Sequence, residues 1–327
     1  MAATIKDIAK KAGVSISTAS NVLNNKTGII KASQETRQRI MAAAEELDYS
    51  PSIMARGLRS GKSSLIGMMT PSIYESFFPE ILQGIEDILN QNSYNMILCT
   101  YKNISEFSEK WKILHAKQVD GIITLPSQDK DFINCYSEIK EKMPLVFTAG
   151  KIDGLQVPFV YVPPSEIAVT GAKYLLAQGH RNIGILKQRG KEFLDAFIKE
   201  MKACPDSSYI VSDLGRPEAI LSEFMKIQRG SKRITAIMAF NDEIAATIIH
   251  EAWKTGIRVP EDISVLGIDD LPICKLTTPN ITTIAQPRYE QGSAAARMLL
   301  DMINKKHVQE GLELHPVLME RESCCKI

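Results

Sequence analysis

The sequence predicts a small all-α head joined to a larger α/β body. Three observations carry this. The first 50 residues hold three short amphipathic helical patterns separated by turn residues. From about residue 64 onward, short apolar runs alternate with helical stretches, as in parallel sheets covered by helices on both faces. Between the two, residues 51–62 carry Pro51, Gly57 and Gly61, the composition of a linker.

A chain of 327 residues suits two or three domains and exceeds one small core. Hydrophobic content of 44% and charged content of 24% are ordinary for a folded soluble protein. No apolar run approaches the ~20 residues that span a bilayer. The N-terminal MAATIKDIAKKAG lacks an apolar signal-peptide core, so the expectation is a cytoplasmic protein with no membrane partner. Six cysteines stand at 99, 135, 204, 274, 324 and 325 without zinc-ligand spacing, which predicts reduced thiols, no metal site and no cofactor. Cys324 and Cys325 are expected on a loose tail. The net charge of +1 hides an asymmetry: residues 1–62 hold ten Lys or Arg against five Asp or Glu, and the rest holds 29 against 33. A basic head on a slightly acidic body points to a polyanion that meets the head alone.

In the head, Thr4 is placed to cap a helix, with Asp7 three positions on reaching back to it. Ile5, Ile8, Ala9 and Ala12 form its apolar stripe, and Gly13 ends it. Ser15 caps a second helix through Asn24, with Val14, Thr18, Val22 and Leu23 facing inward. A third helix runs from Ser33 to Leu47 with Ile40, Met41, Ala44 and Leu47 at apolar spacing. Two short helices joined by a glycine turn, then a third, is the helix-turn-helix pattern. In it the second helix enters the DNA major groove. Its predicted outer face is Ser15, Ile16, Ser17, Ser20 and Asn21, where hydroxyls and amides reach phosphates or bases and Ile16 packs on a thymine methyl. Small polar residues coating a solvent-exposed helix would look the same; the head's charge favours DNA.

In the linker, Ser52 caps a short segment whose Leu58 suits a minor-groove wedge, with Arg56, Arg59 and Lys62 toward phosphates. The stretch RGLRSGKS approximates a phosphate-binding loop. Its glycines are one residue too close and it precedes the first body strand, which excludes nucleotide hydrolysis.

In the body, the predicted elements begin with strand Ser64–Met69, helix Pro79–Gln91, strand Met96–Thr100, helix Ser105–Lys117 and strand Gly121–Thr124. Strands Leu145–Thr148 and Ile183–Leu186, helix Glu243–Thr255 and a last helix Tyr289–Ile303 follow. Ligands of such sheets bind beyond the carboxyl ends of the strands. Those ends carry Thr70-Pro71-Ser72, Pro126-Ser127, Asn241-Asp242 and Asp269-Asp270. Asp242 suits a helix N-cap as well as a ligand contact, and Tyr74, Phe77 and Phe78 suit a cleft wall as well as a core. No GxSxG, HExxH or convergent His-carboxylate arrangement occurs, and adjacent carboxylates such as Asp269-Asp270 point apart, so no catalytic residue is assigned and no enzyme is expected.

TIKDIAKKAGVSISTASNVLN and ETRQRIMAAAEELDYSPSIMARGLRSGKSSLIGMM resemble the head, hinge and first strand of the LacI–GalR repressor family. FFPEILQGIEDILNQNSYNMILC, VDGII, LLAQGHRNIGIL, TAIMAFNDEIAATIIHEAWKTGIRVPEDISVLGIDD, ITTIAQP and ERES extend the resemblance along nearly the whole chain, in the family's order. The resemblance implies a head at 1–50, a hinge at 51–62 and a body at 63–327 like periplasmic sugar-binding proteins. That body has two doubly wound parallel-sheet lobes joined by three crossings: 63–160 with 288–316, and 161–287 with 317–327. It also implies a homodimer on a pseudo-palindromic operator and a small-molecule effector, such as a sugar derivative, bound between the lobes. Leu58 matches the intercalating hinge leucine, and Ile16, Ser17 and Asn21 match base-reading positions. The residues expected at DNA are thus Thr4, Ser15, Ile16, Ser17, Ser20, Asn21, Tyr49, Ala55, Leu58 and Arg59. Those expected at the effector are Tyr74, Phe77, Ser127, Lys187, Arg189, Asn241 and Asp269.

The chain departs from the family pattern in three places. Asn21 and Ala19 stand where arginine and valine are common, which predicts an altered half-site because arginine reads guanine and asparagine suits adenine. The turn Asn25 to Ala32 is longer. Ala149 replaces an aspartate, the loop at Lys187–Lys191 is short, and Phe193 falls near the place of a sugar-clamping arginine. With those polar partners lost, Lys187 or Arg189 would favour a sugar acid or sugar phosphate. The runner-up reading makes the body the receptor of a phosphorylated carrier protein acting as corepressor.

Overall fold

The computed structural model describes residues 3–23, 32–49, 62–186, 190–212 and 233–327, in two units, Met1–Ser64 and Leu65–Ile327. Most of the longer turn after Asn24, hinge residues Ala55, Leu58 and Arg59, and loop residues Lys187 and Arg189 lie outside the described residues.

Among the described residues three helices build the head: α1 (Ile5–Ala12), α2 (Ile16–Leu23) and α3 (Gln34–Glu46). The predicted caps are present. Asp7 Oδ2 accepts from the Thr4 N–H at 2.9 Å and the Thr4 hydroxyl at 2.7 Å, which holds the Asp7 carboxyl below its usual range. Gly13 takes the left-handed conformation (φ 64°) that ends α1, and the Val14 N–H returns to the Ala9 carbonyl at 2.9 Å. Ser15 Oγ accepts from the Thr18 N–H at 3.1 Å and Ser33 Oγ from the Thr36 N–H at 3.2 Å. Small alanines let the helices close on Ile8 and Ile40: Ala9, Ala12, Ala19, Ala43 and Ala44 are buried with Val22. On α3 a packing expectation fails. Met41 is 56% exposed and Ala43 takes the inward place, because the stripe of α3 follows 40, 43, 44 and 47.

The body contains two six-stranded sheets of the same design. The first uses β1 (Leu65–Thr70), β2 (Asn95–Thr100), β3 (Gly121–Thr124), β4 (Leu145–Thr148) and β5 (Phe159–Tyr161), with helices α4 (Phe78–Gln91), α5 (Ile104–Ala116) and α6 (Lys130–Lys142) between strands. The second uses β6 (Asn182–Leu186), β7 (Ser208–Ser212), β8 (Ala236–Met238), β9 (Ser264–Asp269) and β10 (Thr282–Ala285), with α7 (Pro164–Ala177), α8 (Gly190–Ala203) and α9 (Asp242–Lys254). Helix α10 (Arg288–Ile303) and short strands β11 (Gly311–Glu313) and β12 (Val317–Met319) complete the chain.

The first sheet is ordered β2-β1-β3-β4-β5-β11, all parallel. The second is ordered β7-β6-β8-β9-β10-β12, parallel except for β12, which runs antiparallel to β10. In both, strand order reverses beside the first strand, the place where doubly wound sheets open a crevice at their carboxyl ends. The chain passes between sheets after β5, after β10 and after β11.

Helix α10 begins at a crossing and packs on α4. A Cβ on Gly84 would lie 2.1 Å from the Tyr289 carbonyl oxygen, and one on Gly292 would lie 2.0 Å from that of Ile81. Only glycine allows two helix backbones this close. The C-terminal tail is not loose as expected. Ser323 and Cys325 bond to β9 through Val265 and Ser264, Cys324 packs on the second core, and the Ile327 N–H reaches the Gln178 carbonyl at 2.9 Å.

Candidate nucleic-acid interface and effector cleft

On α2 the buried side is Ala19, Ser20 and Val22. Ser15 and Ser17 are exposed, Ile16 at the helix start is 44% exposed and Asn21 is half-buried. Ser20 is 7% exposed and so leaves the outer face on which the sequence placed it. At 3.6 residues per turn it lies beside Ala19 on the side turned to α1 and α3. Ser15 spends its hydroxyl within the helix start, 3.0 Å from Ser17 Oγ and 2.8 Å from Thr18 Oγ1. Thr4 is exposed, and Tyr49 packs against the head core with its N–H bonded to the Ala44 carbonyl at 2.9 Å.

In the body, the carboxyl ends of the first sheet carry neutral groups. Ser127 follows β3; its N–H donates to the Tyr136 hydroxyl at 3.1 Å and its Oγ accepts from the Asp129 N–H at 3.3 Å. Burial among Phe107, Phe147 and Phe132 pushes the Tyr136 hydroxyl up, so it stays protonated. Of the three aromatics after β1, Phe78 is core, Tyr74 is 91% exposed, and half-buried Phe77 packs on the first core with its ring under the Arg288 guanidinium at 4.5 Å. Ala149 adopts φ 60° after β4 and is exposed.

The ends of the second sheet carry carboxylates. Asn241 is the N-cap of α9, its Oδ1 accepting from the Ile244 N–H at 2.9 Å. The capping role expected of Asp242 therefore falls to Asn241. Asp242 is fully buried one position later, accepting from the Leu271 N–H at 2.7 Å and the Thr283 hydroxyl at 2.5 Å. A Cβ on Gly267 would lie 2.2 Å from Asp242 Oδ1, so glycine makes the room for this carboxylate. Desolvation pushes its pKa up to about 6 against those hydrogen bonds. Asp269 is 6% exposed, with Oδ1 2.5 Å from Arg288 Nη2 and accepting from Gln286 Nε2 at 2.7 Å. Its neighbour Asp270 turns away to Arg321 Nη2 at 2.5 Å where the chain leaves β9, both residues having positive φ (117° and 56°). Phe193 lies in the second core beside Phe197 and Met201 instead of at the cleft.

The structure thus joins Phe77 and Asp269, both named from sequence, through Arg288, which was not. Gln286 was missed as well. Their signal was a polar residue just after strand β10 and an arginine opening a helix, where a cation is unusual. Among the described residues no group of His, Cys, Asp or Glu could hold a metal ion, and no helix is long and apolar enough to cross a membrane.

A helix-turn-helix head ahead of two doubly wound lobes defines a class: a transcriptional regulator with a periplasmic-binding-protein-like body. Residues 4–52 match the family of bacterial regulatory proteins, lacI family, residues 63–193 match periplasmic binding proteins and the sugar binding domain of the LacI family, and residues 172–324 match a periplasmic binding protein-like domain. The chain is 33% identical to the HTH-type transcriptional regulator RegA of Clostridium saccharobutylicum, covering 99% of each chain. It is also 33% identical to the HTH-type transcriptional repressor PurR of Proteus mirabilis, covering 98% of this chain and 96% of that one. A Lac repressor dimer bound to operator and an anti-inducer superposes with a TM-score of 0.86 at 25% identity, covering 99% of this chain and all of that one. The chain belongs to the LacI family of transcriptional regulators.

Proposed function

We propose that the chain binds a pseudo-palindromic operator in the cytoplasm as a homodimer, that a small metabolite held between the lobes adjusts its affinity, and that it catalyses no reaction. The exposed start of α2 is the observation that carries the DNA part. Ile16 and Ser17 are exposed at the start of a helix that buries Ala19, Ser20 and Val22, and half-buried Asn21 lies one turn on from Ser17. An exposed isoleucine at a helix start suits a thymine methyl, and a carboxamide suits an adenine edge. The relative solved on operator DNA is a dimer, which supports the same assembly here.

For the effector, Phe77, Ser127, Asn241 and Asp269 stand at strand exits of the two sheets, the place where such folds take ligands. Asp269 accepts hydrogen bonds and Phe77 offers a ring face, so a hydroxyl-bearing sugar, sugar acid or sugar phosphate is the ligand class.

Selection from a random duplex pool, followed by affinity against salt concentration, tests the DNA reading. The expected result is a palindromic site whose affinity falls steeply with salt, through phosphate contacts by Lys and Arg. Enrichment of no sequence, alone or with sugars or a phosphorylated carrier protein added, overturns it; enrichment only with the carrier identifies a protein corepressor. Asn21→Arg is expected to move the preferred half-site toward guanine at one position, and an unchanged half-site would remove Asn21 from base reading.

A further inference from the structure

Arg288 opens helix α10, where the helix dipole disfavours a cation, yet its side chain is only 5% exposed. Asp269 pairs with it, the Phe77 ring lies against its guanidinium face, and Gln286 holds the same Asp269 oxygen. These groups come from separate parts of the body. Phe77 precedes α4 on the first lobe, Asp269 ends β9 in the second, and Arg288 sits on the helix that packs against α4. Asp269 reaches the pair from φ 117°, a backbone region that L-residues rarely adopt and that is retained where surrounding structure demands it. A second, exposed link spans the lobes where the Ser76 hydroxyl donates to Glu243.

An aromatic face beside a buried carboxylate is what a cleft offers a ligand, and here both are engaged by a side chain of the protein itself. We propose that Arg288 is an internal ligand of the inter-lobe cleft: stacked on Phe77 and paired with Asp269, it latches the lobes together without effector, and an effector acts by displacing it. This rests on the cleft being the effector site. Any displacing group must replace what Arg288 provides, a hydrogen-bond donor to Asp269, so hydroxyl or N–H groups face that carboxylate. The pair is buried and little screened, so losing one partner strands a buried charge, whereas the rim contact is exposed to water and screened.

Hydrogen–deuterium exchange on the ligand-free full chain tests the latch without DNA or effector. Arg288→Met and the isosteric Asp269→Asn should each speed exchange by about ten-fold or more in segments 71–80 and 269–290, because removing one partner strands a buried charge. The rest of both sheets should keep its protection. The double variant should be no more open than either single, and Glu243→Gln should change exchange less than both. Exchange unchanged in either single variant, or raised evenly across both sheets, overturns the latch and leaves the pair a stability element. Operator affinity measured on the same samples fails or holds independently of this readout.

Discussion

The two lobes of the body share one strand order and differ in what they place at the strand exits. The first sheet ends in buried hydroxyls: Thr70, Thr124 and Thr148 are each fully buried at the last position of β1, β3 and β4. The second ends in buried carboxylates, Asp242 and Asp269, with half-buried Asp270 paired to Arg321. A hydroxyl satisfies itself on a nearby carbonyl, as Thr124 does on Met69 at 3.0 Å. A buried carboxylate needs several donors, and those donors come from distant segments: Leu271, Thr283, Gln286, Arg288 and Arg321. The same topology therefore yields a first lobe that supplies walls and a second that supplies charge, with its parts tied together by the need to satisfy that charge.

If this contrast is right, polar deletions cost more in the second lobe. Asp242→Ala heads the series, with an expected loss of about 3 kcal/mol in denaturant unfolding, because the Leu271 N–H and Thr283 hydroxyl are left buried without their acceptor. Asp242→Asn should cost less and change the pH profile. With the folded pKa raised from 3.8 to about 6, the native state binds more protons than the unfolded chain in that window. Stability of the wild type then falls as pH rises from about 4 to 6, at up to about 1.4 kcal/mol per pH unit, and Asp242→Asn should flatten this slope. A slope that survives the substitution would assign it to another group.

Arg321→Met comes next, at about 2 kcal/mol, since it removes the partner of Asp270 and a donor to the Ile281 carbonyl. Thr124→Val in the first lobe should cost about 1 kcal/mol through one lost hydrogen bond. Thr148→Val closes the series near zero or with a small gain in melting temperature, because the Thr148 hydroxyl has no hydrogen-bond partner among the described residues. A first-lobe threonine variant as damaging as Asp242→Ala would break the contrast between lobes.

The fold was legible in the sequence because its signals are local. Glycine at 13 admits the left-handed turn, serines at 15 and 33 accept the first free amides of their helices, and apolar runs of strand length alternate with helical stripes. Errors fell at the edges of a helix's buried arc: Ser20 lies inside it and Met41 outside, and the packing of the three helices sets where that arc ends. The site was half legible. Asp269 and Phe77 stood out at strand exits, and the exchange of roles between Asn241 and Asp242 turned on a single residue at a helix start.

By itself the sequence determined the helix caps, the alternation that makes two parallel sheets, and the basic head, since capping, periodicity and charge act over a few residues. Only the tertiary structure decided that Arg288 meets Asp269, that Asp242 is buried where Gly267 leaves room for it, and that the Cys324-Cys325 tail is bound to β9. Those pairings join segments 19 to about 60 residues apart, and the cost of breaking them comes from desolvation, which no residue experiences until the sheets and helices close around it.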